Sequence, residues 1–330
     1  MSTKKEILKI LEENRGEIFS GQTIADNLNI SRNSVWKAIK SLQSEGFEIF
    51  SKGKTGYFLL PTSNKLTKEG ITANLSDNLK TLPLFVFDTI DSTNEEAKRL
   101  LSSEFSAPFL VVSNEQTKGK GRLGRNFFSP ADSGIYMSIA FNPQIPIAKS
   151  SLTTTSAAVA VCRAIESIFP CEAKIKWVND VFCLGKKVGG ILTEGISNIE
   201  TGELETIVVG IGINCFSPRG GFPTEISDIA SSISKKEQVN FNRNLLAAKI
   251  TNNFFDIWND INSSKFMNEY KNRSLVLGNE ITVVKNPTDQ DMQIVKSAYA
   301  IDINDDGSLV VEYEDKSRET LIAGEVSLKL

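Results

Sequence analysis

The apolar residues of this chain change their spacing twice, and no other feature limits the possible folds as much. Up to residue 60 they recur at helical intervals: Ile7, Ile10 and Leu11, then Ile24, Ala25 and Leu28, then Val35, Ile39 and Leu42. After the polar stretch Pro61-Thr62-Ser63-Asn64, short apolar runs alternate with helical segments, and from about residue 276 ITVV, YAIDI, LVVEY and LIAGEVSLKL follow one another as strands. We therefore expect an α+β chain of three units: a winged helix-turn-helix over 1–62, a mixed unit over 65–274 and a small β-barrel over 276–330. A length of 330 residues suits that division.

Composition removes several classes. With 40% apolar and 23% charged residues the chain can build a core, so disorder is excluded. No run approaches the roughly 20 apolar residues of a membrane span, and the start, MSTKKEILKI, has no secretory core; a cytoplasmic protein with no membrane partner is expected. The absence of histidine rules out Ser-His-Asp and Cys-His nucleophiles and histidine zinc sites, leaving lysine, arginine, carboxylates and backbone amides for any chemistry. Cys162, Cys171, Cys183 and Cys215 match neither CxxC spacing nor a disulfide framework, so we expect reduced, mostly buried thiols.

The net charge of -3 hides a basic first unit, whose 60 residues hold nine cations and seven anions. Thr3 and Glu6 form an expected capping box for helix one, which Gly16 stops; Ser20 and Ser31 are expected to cap the next two helices. Those two helices and the turn between them predict helix-turn-helix. Arg32, Asn33, Ser34 and Lys37 open the recognition helix, while FEIF and YFLL flank SKGKTG, a wing tip carrying Lys52 and Lys54. These six residues are the DNA-binding candidates. A local excess of two cations gives weak binding by one copy, so operator DNA would require a dimer.

In the middle unit the expected strands are 84–87, 109–112, 136–141, 174–177, 190–194 and 206–212, with helices at 93–101, 151–169, 244–258 and 266–272. Its most informative segment is KGKGRLGR, where Lys118, Lys120, Arg122 and Arg125 alternate with Gly119, Gly121 and Gly124. Glycines let backbone amides approach a polyanion and cations neutralise it, which points to phosphate. The glycines spell GxGxxG, but the following RNFFSPADSG cannot open a dinucleotide-binding helix, and Arg125-Asn126 replaces the Lys-Ser/Thr of a P-loop. Downstream lie Lys176-Trp177-Val178-Asn179-Asp180 at a strand edge, Lys187 ahead of Gly189 and Gly190, and VVGIGIN, whose glycines leave space for a flat ligand.

Together with Asp91-Ser92-Thr93-Asn94, Glu115-Gln116 and Phe128-Ser129-Pro130, these segments stand in an order that resembles the biotin protein ligases, specifically the bifunctional bacterial kind that also represses the biotin operon. The resemblance covers the whole chain. It implies biotin and MgATP as substrates, biotinyl-5'-adenylate as intermediate and a lysine of the biotin carboxyl carrier protein as acceptor. It also implies an SH3-like C-terminal barrel, operator DNA as partner and a homodimer when adenylate is bound.

By the same resemblance Lys187, Arg122 and Asp180 are catalytic. Ser92, Thr93 and Gln116 would hydrogen-bond biotin's ureido head, Gly119, Lys120 and Arg122 would form the loop that orders over adenylate, Lys187 would contact the biotin carboxyl and phosphate oxygens, Gly210 and Gly212 would line the biotin wall, and Asn94, Gly189 and Gly190 would also bind biotin. Lys120, Arg122, Arg125, Phe127, Asn179, Lys187 and Asn214 would meet ATP or adenylate. Asn179 and Asp180 would orient phosphate, magnesium-bound water or the incoming lysine; no residue is assigned to the metal. Lys120 stands where the family commonly has arginine and Phe127 where it has tryptophan. The competing readings are a repressor without enzymatic activity and a lipoate-type ligase.

Overall fold

The computed structural model describes residues 2–53, 55–197, 204–234, 241–263, 265–285, 294–322 and 325–328. Helices α1 (Thr3–Glu13), α2 (Gly21–Leu28) and α3 (Arg32–Ser44) precede a two-stranded wing, β1 (Ile49–Ser51) paired antiparallel with β2 (Tyr57–Leu59). The hydroxyls of Ser20 and Ser31 accept the amides of Thr23 and Ser34, as the sequence predicts. The capping box does not form: Ser2, not Thr3, is the first cap, and its side chain makes no cap bond. Ile7, Leu11, Ile24, Val35, Ile39 and Leu42 are fully buried together under the wing's Ile49 and Leu59.

A short helix, α4 (Lys68–Asn74), follows the linker and was not expected from KEGITAN, which has a glycine at its third position. Gly70 is there for a tertiary reason: a Cβ would stand 2.7 Å from the Asn244 amide and 2.9 Å from the Glu12 carboxyl. Then come β3 (Leu84–Phe87), α5 (Thr93–Ser102), β4 (Phe109–Ser113), β5 (Gly134–Phe141), α6 (Ser151–Glu166), β6 (Ala173–Lys176), β7 (Asp180–Cys183), β8 (Lys186–Ser197), β9 (Leu204–Asn214), α7 (Arg243–Asn259) and α8 (Lys265–Asn272). The strands form one sheet in the order β3-β4-β5-β9-β8-β7-β6, antiparallel except for β3 with β4.

Strand alternation divides the sheet's two faces. Ile135, Met137 and Ile139 of β5 and Ile207, Val209, Ile211 and Ile213 of β9 pack with α6 and α7 in the main core. The threonines and valines of α6, in TTTSAAVAVC, are weak helix formers, but the alanines favour the helix and it is enclosed on nearly every side, so burial adds to their propensity. On the opposite face Phe109, Val111, Ala140 and Val208 pack under Ala97 of α5, and beyond them the same face of β9 presents only Gly210, Gly212 and Asn214. That bare strip is where the site lies.

The last unit is an antiparallel sheet, β10 (Glu280–Lys285), β11 (Ile294–Ile303), β12 (Leu309–Tyr313), β13 (Arg318–Leu321) and β14 (Glu325–Leu328), ordered β13-β12-β11-β10-β14. The expected Asp306-Gly307 turn joins β11 to β12, with Gly307 at φ +84°.

The units are fastened by buried polar groups. Arg15 pairs with Glu12 at 2.6 Å and donates to the Ser63 carbonyl, while the Thr67 hydroxyl donates to Glu12. Burial pushes the Glu12 carboxyl above its ordinary range, despite the arginine. Arg243, 2% exposed, donates to the Asn64 and Gly134 carbonyls and to the Asn114 side chain. On the far side, the buried Trp177 indole N–H donates to the Gly307 carbonyl at 2.9 Å.

Candidate active site

A cavity of about 530 Å³ lies between the N-terminus of α5, the strap 119–127 and the glycine strip of β8 and β9. Its size suits a small-molecule ligand. Ser92, Thr93, Asn94, Gln116, Lys120, Arg122, Arg125, Phe127, Asn179, Asp180, Lys187, Gly189, Gly190, Gly210, Gly212 and Asn214 all border it. Gly119 does not. A Cβ there would press on the Phe127 carbonyl and the Ser129 hydroxyl, so this glycine shapes the base of the strap from outside the cavity lining.

One end of the cavity is a hydrogen-bonded floor. The Gln116 side-chain carbonyl accepts the Thr93 amide at 2.8 Å and the Thr93 hydroxyl at 3.2 Å, and its amide group donates to Ser129. Asn94 donates to Glu194 at 2.7 Å, and its side-chain oxygen lies 2.6 Å from the Ser138 hydroxyl. Thr93 and Asn94 are thus committed within the protein. The Ser92 hydroxyl is not: it makes no cap bond and has no partner among the described residues, although Ser92 is 2% exposed. A hydroxyl without a protein partner at the edge of a cavity is suited to a polar ligand atom.

The other end is cationic, and its cations have counter-groups. Lys187 pairs with Asp180 at 2.7 Å, Arg122 donates to the Asn179 side-chain carbonyl at 3.0 Å, and Lys120 pairs with Glu95 at 2.5 Å. Lys120 and Lys98 beside Glu95 hold its carboxyl below the usual range. Asp180 opens β7 instead of sitting in a turn, and Lys187 lies within β8, one residue from the strand's start. Register explains how they meet: a bulge between Val181 and Phe182 sets Asp180 opposite Gly190 and Phe182 opposite Lys187, and Gly190 leaves the gap that the Lys187 ammonium occupies at 3.6 Å from its Cβ position.

The strap is a folded turn, not an open loop. Lys120 bridges Asn126, the Gly121 amide donates to the Arg125 carbonyl at 2.7 Å, and a 3-10 turn spans Arg122–Gly124. Leu123 at φ +58° and Gly124 at φ +72° make the reversal.

The glycine strip differs from its expected form. The position a Cβ would take at Gly210 is filled by the Asn94 side chain, and at Gly212 by the Phe127 ring 2.5 Å away. Gly189 borders the cavity through its backbone, because its Cβ position faces Ile213 in the core. The Asn94 amide therefore completes the wall beside Gly210, and Phe127 closes it beside Gly212. Glu95, Ser138 and Glu194 carry no motif signal of their own, yet these polar residues lock the floor and the strap across elements distant in the chain.

The DNA-binding candidates lie apart from the cavity. Arg32, Asn33 and Lys37 are exposed along one face of α3 with no side-chain hydrogen bond among the described residues, and Trp36, 50% exposed, shares that face. Ser34 is partly covered and bonded to the Ser31 cap. Lys52 is exposed beside the wing, and Lys54 lies outside the described residues.

Comparison with known proteins settles the family. The bifunctional ligase/repressor BirA of Bacillus spizizenii is 37% identical over 232 residues, covering 70% of this chain and 71% of the relative. The chain belongs to the bifunctional biotin ligase/repressor family. Across nearly its full length, 95% of it, it is 26% identical to the BirA of Salmonella typhimurium, of which it covers 94%. The biotin/lipoate A/B protein ligase family model matches residues 86–214, an HTH domain model residues 3–58 and a biotin protein ligase C-terminal domain model residues 277–329. Among solved structures, the biotin protein ligase of Aquifex aeolicus in complex with biotin and ATP aligns with a TM-score of 0.60 and 26% identity, over 75% of this chain and 98% of that one. Membership of this ligase/repressor family accounts for both the cavity and the separate basic helix face. Among the described residues no helix is long and apolar enough to cross a membrane.

Proposed function

We propose that the chain joins biotin to a lysine of the biotin carboxyl carrier protein through biotinyl-5'-adenylate, and that with this intermediate bound it represses biotin genes. The observation that carries the reading is one cavity with the unpartnered Ser92 hydroxyl at one end and three cations with counter-groups at the other. In the first step a biotin carboxylate oxygen attacks the α-phosphorus of MgATP and pyrophosphate leaves. The nucleophile is already an anion, so charge neutralisation and alignment supply the acceleration and no histidine is needed.

In this reading Ser92 bonds biotin's ureido head, with the spare N–H of Gln116 beside it, and Gly190, Gly210 and Gly212 form the wall. Lys187 acts on the carboxylate and α-phosphate as Asp180 yields it to the stronger anion, and Arg122 and Lys120 close the strap over the nucleotide. Magnesium is taken as part of the substrate, bound to the phosphates of ATP. In the second step the carrier's lysine amine attacks the acyl carbon and AMP leaves.

The three units keep the proposed bounds 1–62, 65–274 and 276–330, the chain works in the cytoplasm, and adenylate favours a homodimer that sets two winged helices on a two-fold operator. Mass spectrometry of a carrier domain incubated with the chain, biotin and MgATP tests the reading. Gain of one biotinyl group is expected. Pyrophosphate release with lipoate but not with biotin would overturn it.

A further inference from the structure

Cys171 and Cys183 lie 12 residues apart, yet their sulfurs are 3.4 Å from one another. Cys183 ends β7 opposite Ala173, the first residue of β6, and Cys171 stands just ahead of that residue, so the two thiols close the open end of the β6–β7 hairpin. The tip of the same hairpin carries Asn179 and Asp180 into the cavity. We propose that this dithiol is a reversible oxidation site for peroxides, in which Cys171 is the attacking sulfur and Cys183 the resolving one.

Access and proximity assign the roles. Cys171 is the one cysteine that is not buried, whereas Cys162, Cys183 and Cys215 are. The hydrogen bond shared by the pair draws the Cys171 thiol below its ordinary range and pushes that of Cys183 up. Burial pushes Cys162 and Cys215 up to about 12, which leaves them as inert thiols. A disulfide needs sulfurs about 2.05 Å apart, and from 3.4 Å that is a small side-chain adjustment.

The chemistry balances. The Cys171 thiolate attacks one oxygen of hydrogen peroxide, the O–O bond breaks, and hydroxide leaves as water once protonated, giving a sulfenic acid. The Cys183 sulfur then gives up its proton and attacks the Cys171 sulfur, the S–O bond breaks, and a second water departs. The two sulfurs together lose two electrons, which the peroxide accepts. Without Cys183 the sulfenic acid has no thiol in reach and moves on to the irreversible sulfinic acid.

The test treats the full native chain with hydrogen peroxide, alkylates it under denaturing conditions and maps tryptic peptides by mass. The expected product is a cross-link between residues 164–174 and residues 177–186 that dithiothreitol removes. In Cys183→Ala the expected product is Cys171 heavier by about 32 Da, with no cross-link, while Cys162→Ala behaves as the parent. Recovery of Cys171 and Cys183 both alkylated after peroxide, or a cross-link made first between chains or to Cys162, overturns the proposal. The peptide map of the parent chain decides the matter even if a variant does not fold.

Discussion

The cavity and the recognition helix both present cations, but they hold them in opposite ways. Around the cavity Lys187, Arg122 and Lys120 are each engaged by a neighbouring oxygen, and the side chains are fixed before any ligand arrives. On α3 and the wing the side chains of Arg32, Lys37 and Lys52 carry no hydrogen bond or ion pair among the described residues. Fixed cations suit a reaction in which alignment sets the rate, and loose ones suit a polyanion whose affinity comes from counterion release. One chain thus uses the same residue types for positioning and for charge.

That contrast can be broken most decisively at Lys187. Lys187→Ala should lower pyrophosphate release by about 100-fold or more while transfer from supplied biotinyl-adenylate falls far less; equal losses in the two assays would remove its special place. Arg32→Ala combined with Lys37→Ala should weaken operator binding roughly 10- to 100-fold and flatten its salt dependence by about two in slope, with biotinylation unchanged. An unaltered salt slope would mean those cations do not meet phosphate.

Gly210→Ala sharpens the comparison from the cavity side, because the new methyl collides with the Asn94 side-chain carbonyl. Biotin binding measured by calorimetry should weaken about tenfold and thermal stability should drop by about 1–3 kcal/mol. The smallest effect concerns Asp91, held down at about 2 by hydrogen bonds from Arg99. A carboxyl depressed in the folded state stabilises above its unfolded value and loses that contribution as pH falls through about 2. The melting deficit of Asp91→Asn, under about 1 kcal/mol for so exposed a pair, should therefore be present near neutrality and shrink toward zero below about pH 3.

Local signals in the chain reported the framework well. Ser20 and Ser31 cap as expected, and β4, β5 and β9 follow their apolar runs. The misses have tertiary causes. Helix α4 was hidden by Gly70, which only the approach of Asn244 and Glu12 explains, and β7 was hidden because Asp180 follows a turn-like asparagine and only Val181 and Cys183 face inward. The ordered motifs named the polar residues and glycines at the cavity but not its apolar Phe182, Phe222, Ile226, Ile229, Ala230 and Val326. They could not name Glu95 and Glu194, nor foresee that Asn94 and Phe127 fill the glycine strip, because those contacts join segments with no local pattern in common.

Arg243 is the feature with the widest reach. Its guanidinium joins the carbonyl of Asn64, the side chain of Asn114 and the carbonyl at the start of β5, riveting the exit of the winged helix to the body of the chain. That tie holds the reading head at its exit, and in the two-fold pair proposed above it would restrict the separations between half-sites that the two heads reach.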